Sequence, residues 1–277
     1  ALGLAGVIYA LTEAGNKGWG APIVVVTGLV GIVALASFLA VETRSPHPML
    51  PLGIFRSRQF TAANAVTFVV YGALGGALFL LPLELQRAGG FSPLEAGVAL
   101  FPLTIVMLLL SARAGRLAQR IGPRVPMSLG PIVAGTGLIL FARIGVNADY
   151  WTDVLPGVLV FALGLSLTVA PLTATVLDAA PDEEAGVASA VNSQVARVAG
   201  LIAVAALPIA VGITTATYAH PAELTDGFHT AMVVCGLLAI GGGVLSWLTI
   251  RNPEPSVEKE EVACHYHCAV DATPLAG

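Results

Sequence analysis

The sequence predicts an all-α membrane protein of about eight transmembrane helices. Three observations predict it. Hydrophobic residues make up 56% of the 277 positions and charged residues only 11%, less than half the charge of an average soluble domain. The mean hydropathy is +0.84. The apolar residues fall into runs of bilayer length with no period-2 alternation, too long for barrel strands. Backbone polar groups in lipid must be paired, which leaves helices.

The first run, Ala1 to about Ala14, is short for a span and reads as a helix opened in its middle. Glu13, Asn16, Lys17 and Gly18 make a polar turn, and Ala21 to Val41 supplies the second span, roughly 31 Å at the helical rise. A polar, proline-rich stretch follows from Glu42 through Pro48 to Gln59, and a boundary belongs there. The third span is Phe60 to about Leu85. The fourth, Leu94 to Ala112, opens on Ser92-Pro93-Leu94-Glu95, with serine as cap and proline in the first turn. A basic loop, Arg113 to Arg124, leads to a fifth span over Val125 to Ala142. The sixth runs from about Trp151 to Leu177. An acidic loop, Asp178 to Glu184, precedes the seventh, Gly186 to about Ile213, and the eighth is Phe228 to Ile250. Beyond Arg251 the composition is polar and predicts a disordered tail. The resulting units are residues 1–43, two spans; 44–59, an amphipathic linker; 60–250, a six-helix unit; and 251–277, the tail.

Orientation follows from lysine and arginine. Alternate gaps hold Arg44, Arg56, Arg58, Arg113, Arg116, Arg120, Arg124, Arg251 and Lys259 on one side, and Lys17, Arg87 and Arg143 on the other. Nine against three puts the linker, the basic loop, the acidic loop and both ends in the cytoplasm of a multi-pass plasma-membrane protein.

The basic loop reads Gly115-Arg116-Leu117-Ala118-Gln119-Arg120-Ile121-Gly122-Pro123-Arg124. Glycine at a helix end permits a turn, and arginines at one-turn spacing can pair with helix C-termini or with acids on a neighbouring helix. Such a loop suits a conformational latch formed by Gly115, Arg116, Gln119, Arg120, Gly122 and Arg124. The stretch resembles the Gly-x-x-x-Asp-Arg-x-Gly-x-Arg loop of the major facilitator superfamily, with Gln119 where that family has aspartate. Two further stretches resemble its fourteen-span drug:proton antiporter branch. One is His47-Pro48-Met49-Leu50-Pro51-Leu52 with Phe55-Arg56. The other runs from Pro171-Leu172-Thr173 through Pro181 to Ala185-Gly186-Val187-Ala188-Ser189-Ala190-Val191-Asn192. The resemblance implies that the first two spans are inserted linker helices and that the remaining six form the C-terminal half of a major facilitator fold, the N-terminal half being missing. It further implies a secondary transporter, not an enzyme. Such a protein exports lipophilic or cationic small molecules against inward proton flow, with the proton gradient in place of any cofactor. On that reading this portion alone does not transport. An exporter of an endogenous metabolite, antibiotic, lipid or siderophore, or a non-transporting scaffold, is the alternative.

Polar groups at membrane depth are costly unless paired or wet, and so are candidates for function. Asn64, Thr67 and Tyr71 lie at i, i+3 and i+7 on one stripe of the third span. The seventh span offers Ser189 and Asn192 on one face, and Arg197 roughly 16 Å deep. These six are the substrate-cavity candidates, with polar glue between helices as the competing role. Glu84, nearer the outer mouth, is the proton-coupling candidate, since burial disfavours a charged carboxyl. The tail's Cys264-His265-Tyr266-His267-Cys268 lacks the separated pairs of a zinc site, and no metal is expected. No basic patch with interleaved aromatics points to nucleic acid, and the three cysteines make no disulfide framework.

Overall fold

The computed structural model describes residues 2–252, except 46, 47, 49, 215, 216, 218 and 219 and the side chain at 182. The tail expectation, including the His/Cys tract, therefore lies outside the described residues, as do His47 and Met49 of the linker. Among the described residues nine α-helices run in order: α1 Leu2–Lys17, α2 Pro22–Arg44, α3 Arg58–Arg87, α4 Pro93–Val98, α5 Phe101–Ile121, α6 Arg124–Phe141, α7 Leu155–Asp178, α8 Ala185–Ala210 and α9 Pro221–Thr249. Among the described residues seven helical segments are long and apolar enough to cross a membrane, with α4 and α5 counted as one and α7 extended by a π-helical turn at Tyr150–Val154. The 16-residue α1 is not among them.

The helix ends follow from local chemistry. Ser92 caps α4: its Oγ accepts from the Glu95 N–H at 3.3 Å, while Glu95 Oε2 accepts from the Ser92 N–H at 2.7 Å, a reciprocal capping box. Pro102, lacking an N–H, fits the first turn of α5 and jogs the span between Val98 and Phe101. Asp149 Oδ1 accepts from the N–H groups of Trp151 and Thr152 to open the turn before α7. One expectation needs correction. The stretch read as a loop from Arg113 is helical through Ile121, and the turn is confined to Gly122 and Pro123. Arginine is a good helix former, and an exposed arginine at a helix C-terminus meets the negative end of the dipole. Gly115 accordingly sits inside α5, facing Ala170 of α7, and not at a helix end.

Packing runs as a chain of neighbours, α8 on α3, α3 on α9, α9 on α6, α6 on α7 and α7 on α5. The close approaches are made by small residues, as lipid-embedded helices require. On α6, Gly130, Ala134 and Gly137 form a stripe against Thr168, Gly164 and Phe161 of α7. Gly135 on the adjoining face meets Gly236 of α9. Around these contacts Phe141 and Phe161 stack edge to face with centroids 6.0 Å apart, and Met127, Leu138 and Phe228 are fully buried. α1 and α2 form a separate hairpin around Ala10, Ala14 and Val24, and α1 touches the bundle at α8, where Gly15 lies against Ile209.

The turns sort onto two ends. At one, the Gln59 side chain and the Arg251 backbone exchange two hydrogen bonds, of 3.0 and 3.1 Å. There the Arg124 N–H donates to Asn252 Oδ1 at 3.1 Å. At the other, the Asn147 N–H donates to the Ala88 carbonyl at 2.9 Å. The linker, the arginine turn, the end of α7 and the start of the tail therefore share one end of the bundle.

A Cβ on Gly164 would meet the backbone of Ala134, whereas one on Gly186 would meet nothing within 4 Å. Gly164→Leu is expected to destabilise the bundle by about 2 kcal/mol or more. Gly186→Ala should be neutral or stabilise it by up to about 1 kcal/mol. Thermal melts of the purified protein in detergent compare the two.

Candidate functional site

The polar stripe on α3 is built by its own helix. Asn64 Nδ2 donates to the Phe60 carbonyl at 2.9 Å, and Thr67 Oγ1 donates to the Ala63 carbonyl at 2.9 Å. That leaves Asn64 Oδ1 and the lone pairs of Thr67 Oγ1 facing α8. Asn192 of α8 fills the gap: its Nδ2 donates to Thr67 Oγ1 at 2.7 Å and to Asn64 Oδ1 at 3.2 Å. Two turns further along α3, the helices cross where an added Cβ on Gly75 would lie 2.6 Å from the Cα of Gly200. The α3–α8 pair is thus tied at two levels, by a polar bridge and by a glycine contact.

Beside this bridge lies a cavity of about 360 Å³ between α3, α7 and α8, within the size range of small-molecule sites. Tyr71, Ser189, Asn192 and Arg197 line it, joined by Ser193 and Ala196 of α8 and by Thr173, Val176 and Leu177 of α7. Four of the six sequence candidates therefore share one lining. The other two do not: Asn64 and Thr67 are buried, with Thr67 wholly inaccessible, and stand behind Asn192 as its anchors. Their stripe was legible; their depth was not, because the α8 residue that covers them is 128 and 125 residues away. The α7 contribution went unread, although Thr173, Val176 and Leu177 follow i, i+3, i+4 spacing. Arg197 is exposed on this lining, and no ion pair or hydrogen bond ties it to another described residue.

Glu84 occupies a different place. It lies at the end of the bundle opposite the arginine turn, in the seam between α3 and α9, with only 1% of its surface accessible. Its Oε1 accepts a hydrogen bond of 2.5 Å from Thr225 Oγ1, and its Oε2 has no partner among the described residues. One turn along α9, His229 Nε2 lies 2.7 Å from the Ile144 carbonyl. The expected position near the outer mouth is thus a closed seam, separate from the cavity.

The arginine turn also has partners the sequence did not reveal. Arg124 Nε donates to the Trp247 carbonyl at 2.9 Å, and its guanidinium carbon stands 4.3 Å from the centre of that indole. This is the expected contact with a helix C-terminus, made by α9. Asn252 completes a knot: it accepts from the Arg124 N–H and donates to the Ile121 carbonyl at 3.3 Å. Gly122, at φ 85°, supplies the left-handed turn, and a Cβ there would collide with Asn252. Gln119 and Arg120 face a broad recess of about 1190 Å³ at this end, bordered by Gln59, Asp178 and Arg251. Arg116 is exposed beside them. No ion pair joins these arginines to an acid among the described residues.

Comparison with known proteins bears on this arrangement. The model of the Major Facilitator Superfamily matches residues 1–204. A methylenomycin A resistance protein of Streptomyces coelicolor is 30% identical over 91% of this chain and 51% of its own length. A lincomycin resistance protein of Listeria monocytogenes is 32% identical over 91% of this chain and 55% of its own. An uncharacterised MFS-type transporter of Bacillus subtilis is 28% identical over 83% of this chain and 43% of its own. The chain spans about half the length of the curated relatives it matches.

The polar bridge predicts measurable coupling. In a double-mutant cycle of Asn192→Ala with Thr67→Ala, the interaction energy is expected at about 0.6 kcal/mol, and below about 2 kcal/mol. Unfolding of the two single variants and the double variant in detergent gives the value.

Proposed function

The chain belongs to the major facilitator superfamily, a family of membrane transporters. On that footing we propose that it supplies the C-terminal portion of a proton-coupled multidrug exporter of the fourteen-span branch. The observation that carries the proposal is the convergence of Tyr71, Ser189, Asn192 and Arg197 on one cavity among membrane-length helices. Polar and charged side chains at such depth persist where they line a water-accessible path or bind a substrate. The relatives named for resistance to methylenomycin A and to lincomycin support export of a small molecule.

In this reading α1 and α2 are the inserted helices, and the segments from Arg58 to Thr249 form one of two rocking halves. The end bearing Arg120, Arg124 and Arg251 faces the cytoplasm of the plasma-membrane protein, as the balance of basic residues favours. Arg116, Gln119 and Arg120 serve as the outward part of a conformational latch, held in place by the Gly122–Arg124 knot. Glu84 carries the coupling proton. A buried carboxyl with one oxygen that has no hydrogen-bond partner among the described residues supports that role.

Three measurements in the exporter that carries this chain test the proposal. Arg197→Ala and Asn192→Ala should each lower drug efflux by about tenfold at unchanged expression; full efflux in both variants would mean the cavity is only a packing defect. Glu84→Gln should abolish efflux driven by a proton gradient while leaving substrate exchange down its own gradient intact. A cysteine at position 120, in a background without Cys235, Cys264 and Cys268, should react with an impermeant maleimide only after cells are opened. Labelling of intact cells would reverse the topology.

A further inference from the structure

The cavity can be read for the chemistry of its occupant by asking which of its polar groups are already spent. The Asn192 amide N–H groups are committed to Asn64 and Thr67. The Thr173 hydroxyl donates to the Val169 carbonyl at 3.0 Å. What remains is one cation, the neutral carbonyl oxygen of Asn192 and hydroxyls that can donate or accept. The Arg197 guanidinium, with five N–H donors and a fixed positive charge, has no partner among the described residues, and the hydroxyls of Tyr71 and Ser193 have none either. Among the described residues no carboxylate lines the cavity. Glu84 is sealed in the α3–α9 seam, and Asp178 borders the recess at the arginine end instead.

We infer that this cavity takes its substrate by an anionic group, a carboxylate or an equivalent oxyanion, held by Arg197 and the free hydroxyls. The inference rests on the reading of the cavity as a substrate site and adds the substrate's charge. A planar guanidinium meets a carboxylate through two parallel hydrogen bonds, and such charge-assisted pairs are stronger than neutral ones. Val176 and Leu177 offer an apolar wall to the body of the same molecule. The lipophilic substrate and the cationic one expected from sequence thus part company. The first fits the wall, while the second would bring like charge against Arg197.

The test is equilibrium dialysis of the detergent-solubilised protein at neutral pH with three probes of one skeleton: 2-naphthoate, 2-naphthamide and 2-naphthylmethylammonium. Naphthoate should bind about tenfold or more tightly than the ammonium. Arg197→Gln should weaken naphthoate by about tenfold while leaving naphthamide within about twofold, and Arg197→Lys should restore only part of the loss. Retained naphthamide binding shows that the variants are folded. Ammonium binding equal to or tighter than naphthoate, or naphthoate binding unmoved by Arg197→Gln, overturns the inference and leaves the cavity a substrate site. Binding of none of the three by the unsubstituted protein overturns the cavity reading as well.

Discussion

The closeness of α6 to both its neighbours sets everything else in this bundle. In lipid there is no hydrophobic drive to press helices together, so contact has to come from dispersion between well-fitted surfaces. α6 meets α7 through Gly130, Ala134 and Gly137, and meets α9 through Gly135 against Gly236. With that triplet set, α7 carries α5, α9 carries α3, and α3 carries α8. The cavity opens where this chain of contacts leaves α7 and α8 loosely joined. The scaffold is thus built from residues with almost no side chain, and its polar residues are free for other work.

Those polar residues divide by depth and by seam. Along α3 and α8 the amide of Asn192 is locked by two anchors that are themselves locked to their own helix, so the cavity wall is pre-positioned. Across the bundle, Glu84 and Thr225 form a second polar contact with no route to the first through described hydrogen bonds. Two polar sites on different helix pairs, both hung on α3, give that helix a place in each. Movement of α3 is therefore felt at both.

Much of this was legible in the sequence, for identifiable reasons. Bilayer-length apolar runs mark the helices because lipid imposes a length, and the α3 stripe of Asn64, Thr67 and Tyr71 follows from helical period alone. Charge misled over Arg113 to Ile121, where a basic stretch read as a loop is the last turns of α5. Periodicity gives a face but not what covers it. It could not tell that Asn64 and Thr67 stand behind the cavity while Tyr71 lines it. Nor could it pair Thr225 with Glu84, 141 residues apart, or Asn252 with the turn at Gly122, since contacts between distant segments leave no local signal.

That turn has a consequence for how the polypeptide is handled. α9 finishes at Thr249 by backbone geometry, but its mechanical terminus is Asn252. Gln59 and Asn252 stitch the exit of α9 to the entrance of α3 and to the corner between α5 and α6. A stop codon or affinity tag placed three residues too early would cut a seam among four helices, while one placed just after Asn252 would keep these four hydrogen bonds.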